Sequence, residues 1–219
     1  MDRYKLVIRG EQPLNGETYV SGGKNTSLAV IPATLLCEEP CVIENLPDIE
    51  DVRVLHRILL ELGAKVDFNT AEKRMVIDPR SVKSATVPFQ YSQMMRASYY
   101  FMGALLGRYG TADVGYPGGC DIGSRPIDQH IKGFSALGSE ISEYNGMMCL
   151  KGNLAGTIIN FDMVTVGATI NVMLAAVRAK GNTVLTNAAR EPHVVDLANF
   201  LNSMGAKIRG AGTDTIRIR

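Results

Sequence analysis

The chain has 219 residues, a formal net charge of +1, 46% hydrophobic and 21% charged residues. That balance supplies one large core or two small ones, and it excludes a diffuse nucleic-acid-binding surface and a charge-driven disordered tail. No apolar run approaches the ~20 residues that span a bilayer. No charged stretch followed by an apolar one marks the N-terminus as a secretory signal. The expected location is therefore the cytoplasm. Cys37, Cys41, Cys120 and Cys149 form no CxxC pair and have no nearby histidine, so they read as reduced thiols and no metal is expected.

The first elements are a glycine-led segment, Ser21-Gly22-Gly23-Lys24-Asn25-Thr26, and a helical stretch over 25–37. Bare backbone donors with one lysine at a helix start suit an anion. The Walker spacing is missing, and a solvated lysine beside a tight turn fits the same residues. Pro32 removes a backbone donor and should kink or shorten this helix. A short β-like run, Cys41-Val42-Ile43-Glu44, comes next. A helix follows, with Ile49, Val52, Leu55, Leu59 and Leu62 on one face, then Leu62-Gly63-Ala64-Lys65-Val66 and the alternating Arg74-Met75-Val76-Ile77.

The same order returns twice. A helical stretch over 92–107, carrying Arg96 near its start, precedes Ala112-Asp113-Val114-Gly115. A helix facing inward with Ile127, Ile131, Phe134 and Leu137 ends in Leu137-Gly138-Ser139-Glu140-Ile141. A third stretch over 164–179 leads to Thr183-Val184-Leu185-Thr186. Its outer helix carries Val194, Leu197, Leu201 and Met204, and Met204-Gly205-Ala206-Lys207-Ile208 and 215–219 close the chain. The glycines at 63, 138 and 205 sit where a helix C-terminal glycine in the left-handed conformation belongs. The pattern predicts three copies of helix, strand, helix, hairpin, over about 21–79, 90–152 and 157–219. An ordinary α/β domain with recurrent Leu-Gly caps is the plainer alternative.

From strand valine to closing glycine the copies measure 21, 24 and 21 residues (42 to 63, 114 to 138, 184 to 205). The three extra residues fall in Tyr116-Pro117-Gly118-Gly119-Cys120-Asp121-Ile122-Gly123-Ser124-Arg125-Pro126. A Gly-rich insertion in one copy suits a loop held for chemistry. Pro126 is expected at the first helical position and Asp128 in the first turn, which puts Arg125 at a helix N-terminus. There a guanidinium adds bidentate donors for phosphate or carboxylate, and the positive end can lower the pKa of a nearby thiol. A flexible loop with an incidental cysteine fits the same residues. Arg96 alone reads as a solvated or paired charge. His56, His130 and His193 read as structural or surface residues, and the ten methionines as core filler.

Taken together, Ser21-Gly22-Gly23-Lys24-Asn25, Met95-Arg96-Ala97-Ser98, the Pro117–Asp128 stretch, Val166-Gly167-Ala168-Thr169 and Asn187-Ala188-Ala189-Arg190-Glu191-Pro192 resemble the enolpyruvyl transferase family, in its UDP-N-acetylglucosamine branch. The motifs occur in the family's order over nearly the whole chain. The sister enzyme that makes enolpyruvylshikimate phosphate shares the fold but has no such cysteine loop. The resemblance implies an α/β fold, the inside-out α/β barrel with helices inside and sheets outside. It implies enolpyruvyl transfer from phosphoenolpyruvate to the 3-hydroxyl of UDP-N-acetylglucosamine, the first committed step of peptidoglycan synthesis, with no metal or organic cofactor. By the same resemblance Lys24 neutralises phosphoenolpyruvate and Asn25 lies beside both substrates. Cys120 acts as acid at the enolpyruvyl methylene or in product release and is the position that fosfomycin attacks, and Arg125 holds anionic groups. Arg96, Arg125, Pro126, Ile127, Asp128 and Gln129 line the UDP-sugar site, with Val164, Thr165, Val166 and Gly167 near the uridine. Two departures matter. His193 stands where some relatives carry Glu, and the chain is about half the family's length. The resemblance therefore places the catalytic base and further cations in a second domain, together with strands from residues 1–20. The alternatives are the shikimate-pathway transferase and a non-catalytic domain that holds a UDP-sugar or another anion.

Overall fold

The structure, a computed structural model, describes residues 5–116 and 126–219. Residues 5–20 are exposed throughout and carry no strand. The first unit consists of α1 (Lys24–Ala33), β1 (Cys41–Ile43), α2 (Glu50–Leu62), β2 (Lys65–Asn69) and β3 (Arg74–Asp78). The second runs through β4 (Thr86–Val87), α3 (Phe89–Met94), α4 (Tyr100–Tyr109), β5 (Thr111–Gly115), α5 (Asp128–Ala136), β6 (Glu140–Tyr144) and β7 (Met147–Lys151). The third comprises β8 (Ile158–Asn160), α6 (Val166–Ala176), β9 (Thr183–Thr186), α7 (Pro192–Ser203), β10 (Ile208–Arg209) and β11 (Thr215–Ile218). The order helix, strand, helix, hairpin recurs as the sequence predicts. Gly63, Gly138 and Gly205 all adopt left-handed backbone, with φ of 95°, 94° and 102°, a conformation that glycine enters without a steric cost.

Among the described residues the strands form three sheets, ordered β1-β3-β2, β4-β5-β7-β6 and β10-β11-β9-β8. Helices α1, α4 and α6 pack together between them. Every residue of α6 from Gly167 to Ala176 is buried, and seven of the ten residues of both α1 and α4 are buried. A helix that is apolar all round belongs in a core. Helices α2, α5 and α7 present one apolar stripe each, such as Val52, Leu55, Ile58, Leu59 and Leu62 of α2. The helices are therefore inside and the sheets outside. Asn171, buried in α6, donates Nδ2 to the Tyr99 carbonyl at 2.9 Å and accepts from the Gly103 N–H at 2.9 Å. That pair of bonds fixes the entry of α4 against α6.

Three boundaries differ from the sequence expectation. Pro32 does shorten its helix, since α1 ends at Ala33 and tightens into a 3-10 turn, Thr34–Leu36. The stretch expected as one helix over 92–107 is broken at Met95, which is extended at φ −153° and ψ 143°. The Ser98 hydroxyl donates to the Met95 carbonyl at 2.8 Å, and Ser92 Oγ accepts from the Gly115 N–H at 3.1 Å. These local side-chain bonds compete with the helical ladder. Arg96 consequently sits in a 3-10 turn, Arg96–Tyr99, rather than in the apolar helix. Finally, α5 starts at Asp128 with Ile127 as its N-cap, so Pro126 lies outside the helix instead of at its first position.

Two short strands have no counterpart in the sequence reading. β4 pairs parallel with β5, and β8 pairs parallel with β9. Among the described residues β1 has β3 as its one partner. Where β4 and β8 cover the other two sheets, a cavity of about 410 Å³ opens beside Ile43 of β1, the following Glu44, and Asp196, Asn199 and Phe200 of α7.

Candidate anion and nucleotide-sugar site

Among the described helices that start without a side-chain cap, two lie at the candidate residues. At α1, Gly23 is an extended N-cap without a side-chain cap, and no acidic residue lies in the first turn. Four orphan N–H groups and the helix dipole then favour an anion at that end. Lys24 and Asn25 follow at once, both exposed. The Lys24 ammonium pairs with the Asp51 carboxylate of α2, which compensates its charge. The Thr26 hydroxyl donates to Asp196 Oδ2 at 2.6 Å, tying the first turn of α1 to α7. A cavity of about 420 Å³ is lined by Gly23, Lys24, Asn25, Thr26, Pro192 and His193. The start of α7 thus faces the start of α1, and His193 shares a cavity with Lys24.

The start of α6 is the second. Thr165 is an extended N-cap that makes no side-chain cap bond, and the first turn has no acidic residue. Its backbone is held by the Thr169 hydroxyl, which donates to the Thr165 carbonyl at 2.9 Å and accepts from the Ala189 N–H at 3.0 Å. Gly167 packs so closely that an added Cβ would lie 2.3 Å from Tyr99 Oη and 2.9 Å from His130 Nε2. Tyr99 meets His130 edge-on at 4.8 Å between ring centroids, and the Arg96 guanidinium stacks over Tyr99 at 5.4 Å. A chain of contacts therefore runs from Arg96 through Tyr99 and His130 to Gly167. It joins the 3-10 turn and the starts of α5 and α6 in one place.

His130 is 3% exposed, and neither ring nitrogen has a hydrogen-bond partner among the described residues. Burial, with the Arg96 charge adding to it, pushes its pKa down to about 4. The imidazole is neutral at physiological pH. Next to it, Gln129 Nε2 donates to Asp162 Oδ2 at 3.1 Å, and the Asp162 N–H donates back to Gln129 Oε1 at 2.9 Å. The Lys132 ammonium donates to Asp162 Oδ1 at 2.5 Å. Hydrogen bonds from Lys132, then Gln129, hold the Asp162 carboxyl below its ordinary value. Gln129 thus fastens the start of α5 to the segment that enters α6.

Of the residues singled out in the sequence, Arg96, Ile127, Gln129, Val166 and Gly167 fall in this second neighbourhood. Val164 is exposed and Thr165 half-buried beside it, and Pro126 and Asp128 are exposed at the start of α5. Lys24 and Asn25 belong to the α1–α7 cavity. Cys120, Asp121 and Arg125 lie outside the described residues. His130 is buried against Tyr99, in line with the sequence reading of it as a structural histidine, and Tyr99 was not singled out because a lone aromatic carries no local signal. Asp51 escaped it because its role depends on α2 packing beside α1.

A helical interior and three outer sheets built from one recurring unit define one domain of the enolpyruvyl transferase fold. The enolpyruvyl transferase NikO from Streptomyces tendae superposes with a TM-score of 0.82 at 25% identity, over 95% of this chain and 49% of that one. EPSP synthase from Acinetobacter baumannii, at 18% identity and a TM-score of 0.70, shares the fold over 93% of this chain. The chain belongs to the enolpyruvyl transferase family, whose model, described as EPSP synthase (3-phosphoshikimate 1-carboxyvinyltransferase), matches residues 8–219. Among named relatives, UDP-N-acetylglucosamine 1-carboxyvinyltransferase 3 of Caldanaerobacter subterraneus subsp. tengcongensis is 55% identical over 215 residues. UDP-N-acetylglucosamine 1-carboxyvinyltransferase 2 of Listeria monocytogenes is 54% identical and that of Bacillus subtilis 52%. The matches cover 98% of this chain, and the chain spans about half the length of these relatives.

Proposed function

We propose that this chain is the N-terminal half of an enolpyruvyl transferase that moves the enolpyruvyl group from phosphoenolpyruvate to the 3-hydroxyl of UDP-N-acetylglucosamine. The observation that carries the reading is the 52–55% identity to relatives of that name, against 18% to EPSP synthase. In the reaction the sugar oxygen adds to C2 of phosphoenolpyruvate while its C3 methylene takes a proton. The tetrahedral adduct then loses that methyl proton and inorganic phosphate, leaving an enolpyruvyl ether. Negative charge gathers on the departing phosphate, and preorganised cations and helix dipoles stabilise it. Lys24 at the α1 start is the residue we assign to phosphoenolpyruvate, with Asn25 beside it. In this reading Arg96 and the α5 and α6 starts hold the nucleotide sugar, and the segment that contains Cys120 and Arg125 supplies the acid and a further cation.

The base that takes the sugar proton, and the opposing cations, belong to the second half of the longer protein, together with residues 1–20. The 219-residue chain alone binds UDP-N-acetylglucosamine weakly and does not turn over, because a cleft with one wall neither excludes water nor positions both substrates. We place the full protein at the committed step of peptidoglycan synthesis in the cytoplasm, without a cofactor. Thermal shift of the chain with UDP-N-acetylglucosamine and with shikimate 3-phosphate tests the substrate class; stabilisation by shikimate 3-phosphate alone would reverse the assignment. Phosphate release is then measured with the chain alone and with the second half added in trans. Turnover by the chain alone at the reconstituted rate would show that the site is misplaced.

A further inference from the structure

The three hairpins can be compared residue by residue on their outer faces. Lys65, Glu140 and Lys207 each stand two residues beyond the left-handed glycine of their unit. In the first hairpin Lys65 lies opposite Asp78, and in the second Glu140 lies opposite Lys151. Both pairs are of opposite charge. In the third, the Arg219 N–H donates to the Lys207 carbonyl at 3.1 Å, which sets Arg219 beside Lys207. One step on, Arg209 lies directly opposite Arg217. Ile208, Ile216 and Ile218 are buried, so alternation turns all four cations outward.

Like charges directly opposite one another destabilise a strand pair. The first two copies avoid the arrangement and the third doubles it. Among the described residues none of the four joins a salt bridge. Together with Thr215 they line a cavity of about 540 Å³. None of these residues belongs to the site described above. We propose that the outer face of the β10–β11 hairpin is a second anion site, for a compact ligand that carries two or more linked phosphate groups. The spacing selects that class. Cross-strand neighbours stand ~5 Å apart and alternate residues along a strand ~7 Å apart, so the four cations bound a patch the size of a diphosphate or triphosphate. One phosphate spans two of them. A long polyanion needs a basic stripe, which a chain of net charge +1 does not supply. Three of the four are arginines, whose forks grip phosphate oxygens in pairs.

The test uses isotope-labelled chain titrated at constant ionic strength with inorganic phosphate, pyrophosphate, tripolyphosphate and adenosine diphosphate. Amide shifts are expected to centre on 207–209 and 215–219, with tripolyphosphate binding roughly tenfold or more tighter than phosphate. The R209Q/R217Q variant, altered at exposed positions, should lose roughly tenfold or more of that affinity while keeping its spectrum elsewhere. K24Q should leave it intact, which separates this site from the one at α1. Shifts centred on Lys24 or Arg96, an equal response to mono- and tripolyphosphate, or full affinity in R209Q/R217Q would each overturn the proposal. So would binding of adenosine diphosphate without binding of pyrophosphate.

Discussion

His130 makes the stability of this chain depend on pH between 6.5 and 4. The folded protein holds the ring neutral, with a pKa near 4 in place of the ordinary 6.5. The unfolded chain therefore binds a proton at pH 5 that the folded chain refuses. Stability from this group is fully present above 6.5 and is lost as the pH falls from 6.5 towards 4. At about 1.4 kcal/mol per decade of pH, the loss reaches about 3 kcal/mol. Arg96 faces the ring and deepens the effect; Asp128 opposes it. Denaturant unfolding followed at half-unit intervals between pH 4.5 and 7.5 reads the slope directly. The control is His130→Phe, which keeps an aromatic ring against Tyr99 and has nothing to titrate. The difference in unfolding free energy between the two proteins should fall by about 2 kcal/mol from pH 7 to pH 5, whatever the variant's absolute stability. Parallel profiles would refute the burial argument, as would a His130 ring resonance that titrates near 6.5 in the folded chain.

The remaining predictions rest on contacts of single residues. Gly167→Ala pushes a methyl group into Tyr99 Oη and His130 Nε2 and should cost about 1–3 kcal/mol in urea unfolding. Adding Tyr99→Phe should restore part of that; no rescue would mean that the backbone of α6 moves instead. Arg217→Glu, opposite Arg209, should raise the unfolding midpoint by the equivalent of about 0.5 kcal/mol while abolishing tripolyphosphate binding; a lower midpoint would contradict the like-charge reading. β1 has one strand partner among the described residues, whereas β5 and β9 have two each. Its amides should therefore exchange with solvent roughly tenfold or more faster than theirs, and equal protection would show that its edge is covered.

The parts of the fold legible in the sequence were those dictated locally. A glycine two residues before an outward charged residue, closing an amphipathic helix, announces a left-handed cap, and Gly63, Gly138 and Gly205 all have one. Val52, Leu55, Leu59 and Leu62 mark a buried stripe because the opposite face of α2 meets water. The inner helices give no such contrast. With α6 buried all round, its apolar run could be placed but its ends could not, and 164–179 overshoots Val166–Ala176 at both ends. The break at Met95 was hidden because it depends on Ser92 reaching the Gly115 N–H, 23 residues away. β4 and β8, of two and three residues, exist only through parallel pairing, β4 with a strand beyond α3 and α4 and β8 with a strand beyond α6. In the candidate site, Lys24, Arg96 and Gly167 stood out through the motifs they occupy. Tyr99 and His130 emerged only from tertiary packing.

A fold that repeats its backbone three times also shows where its copies stop being interchangeable. The helix caps and inward-facing apolar residues recur because each unit must bury the same face. The charges need not recur, and they do not. In the first copy a lysine at a bare helix start is balanced by Asp51 across the neighbouring helix. In the second, the segment between β5 and α5 has twelve residues, 116–127, against six (44–49) and five (187–191) in the other copies, and contains Cys120 and Arg125. In the third, the start of α6 is left without acid or cap, and the hairpin that follows carries cation opposite cation. Uncompensated charge and unsatisfied backbone donors lower stability unless a ligand offsets them. Among the hairpins, like charge opposite like charge is confined to the third copy, and that confinement is the physical argument for the anion site proposed there.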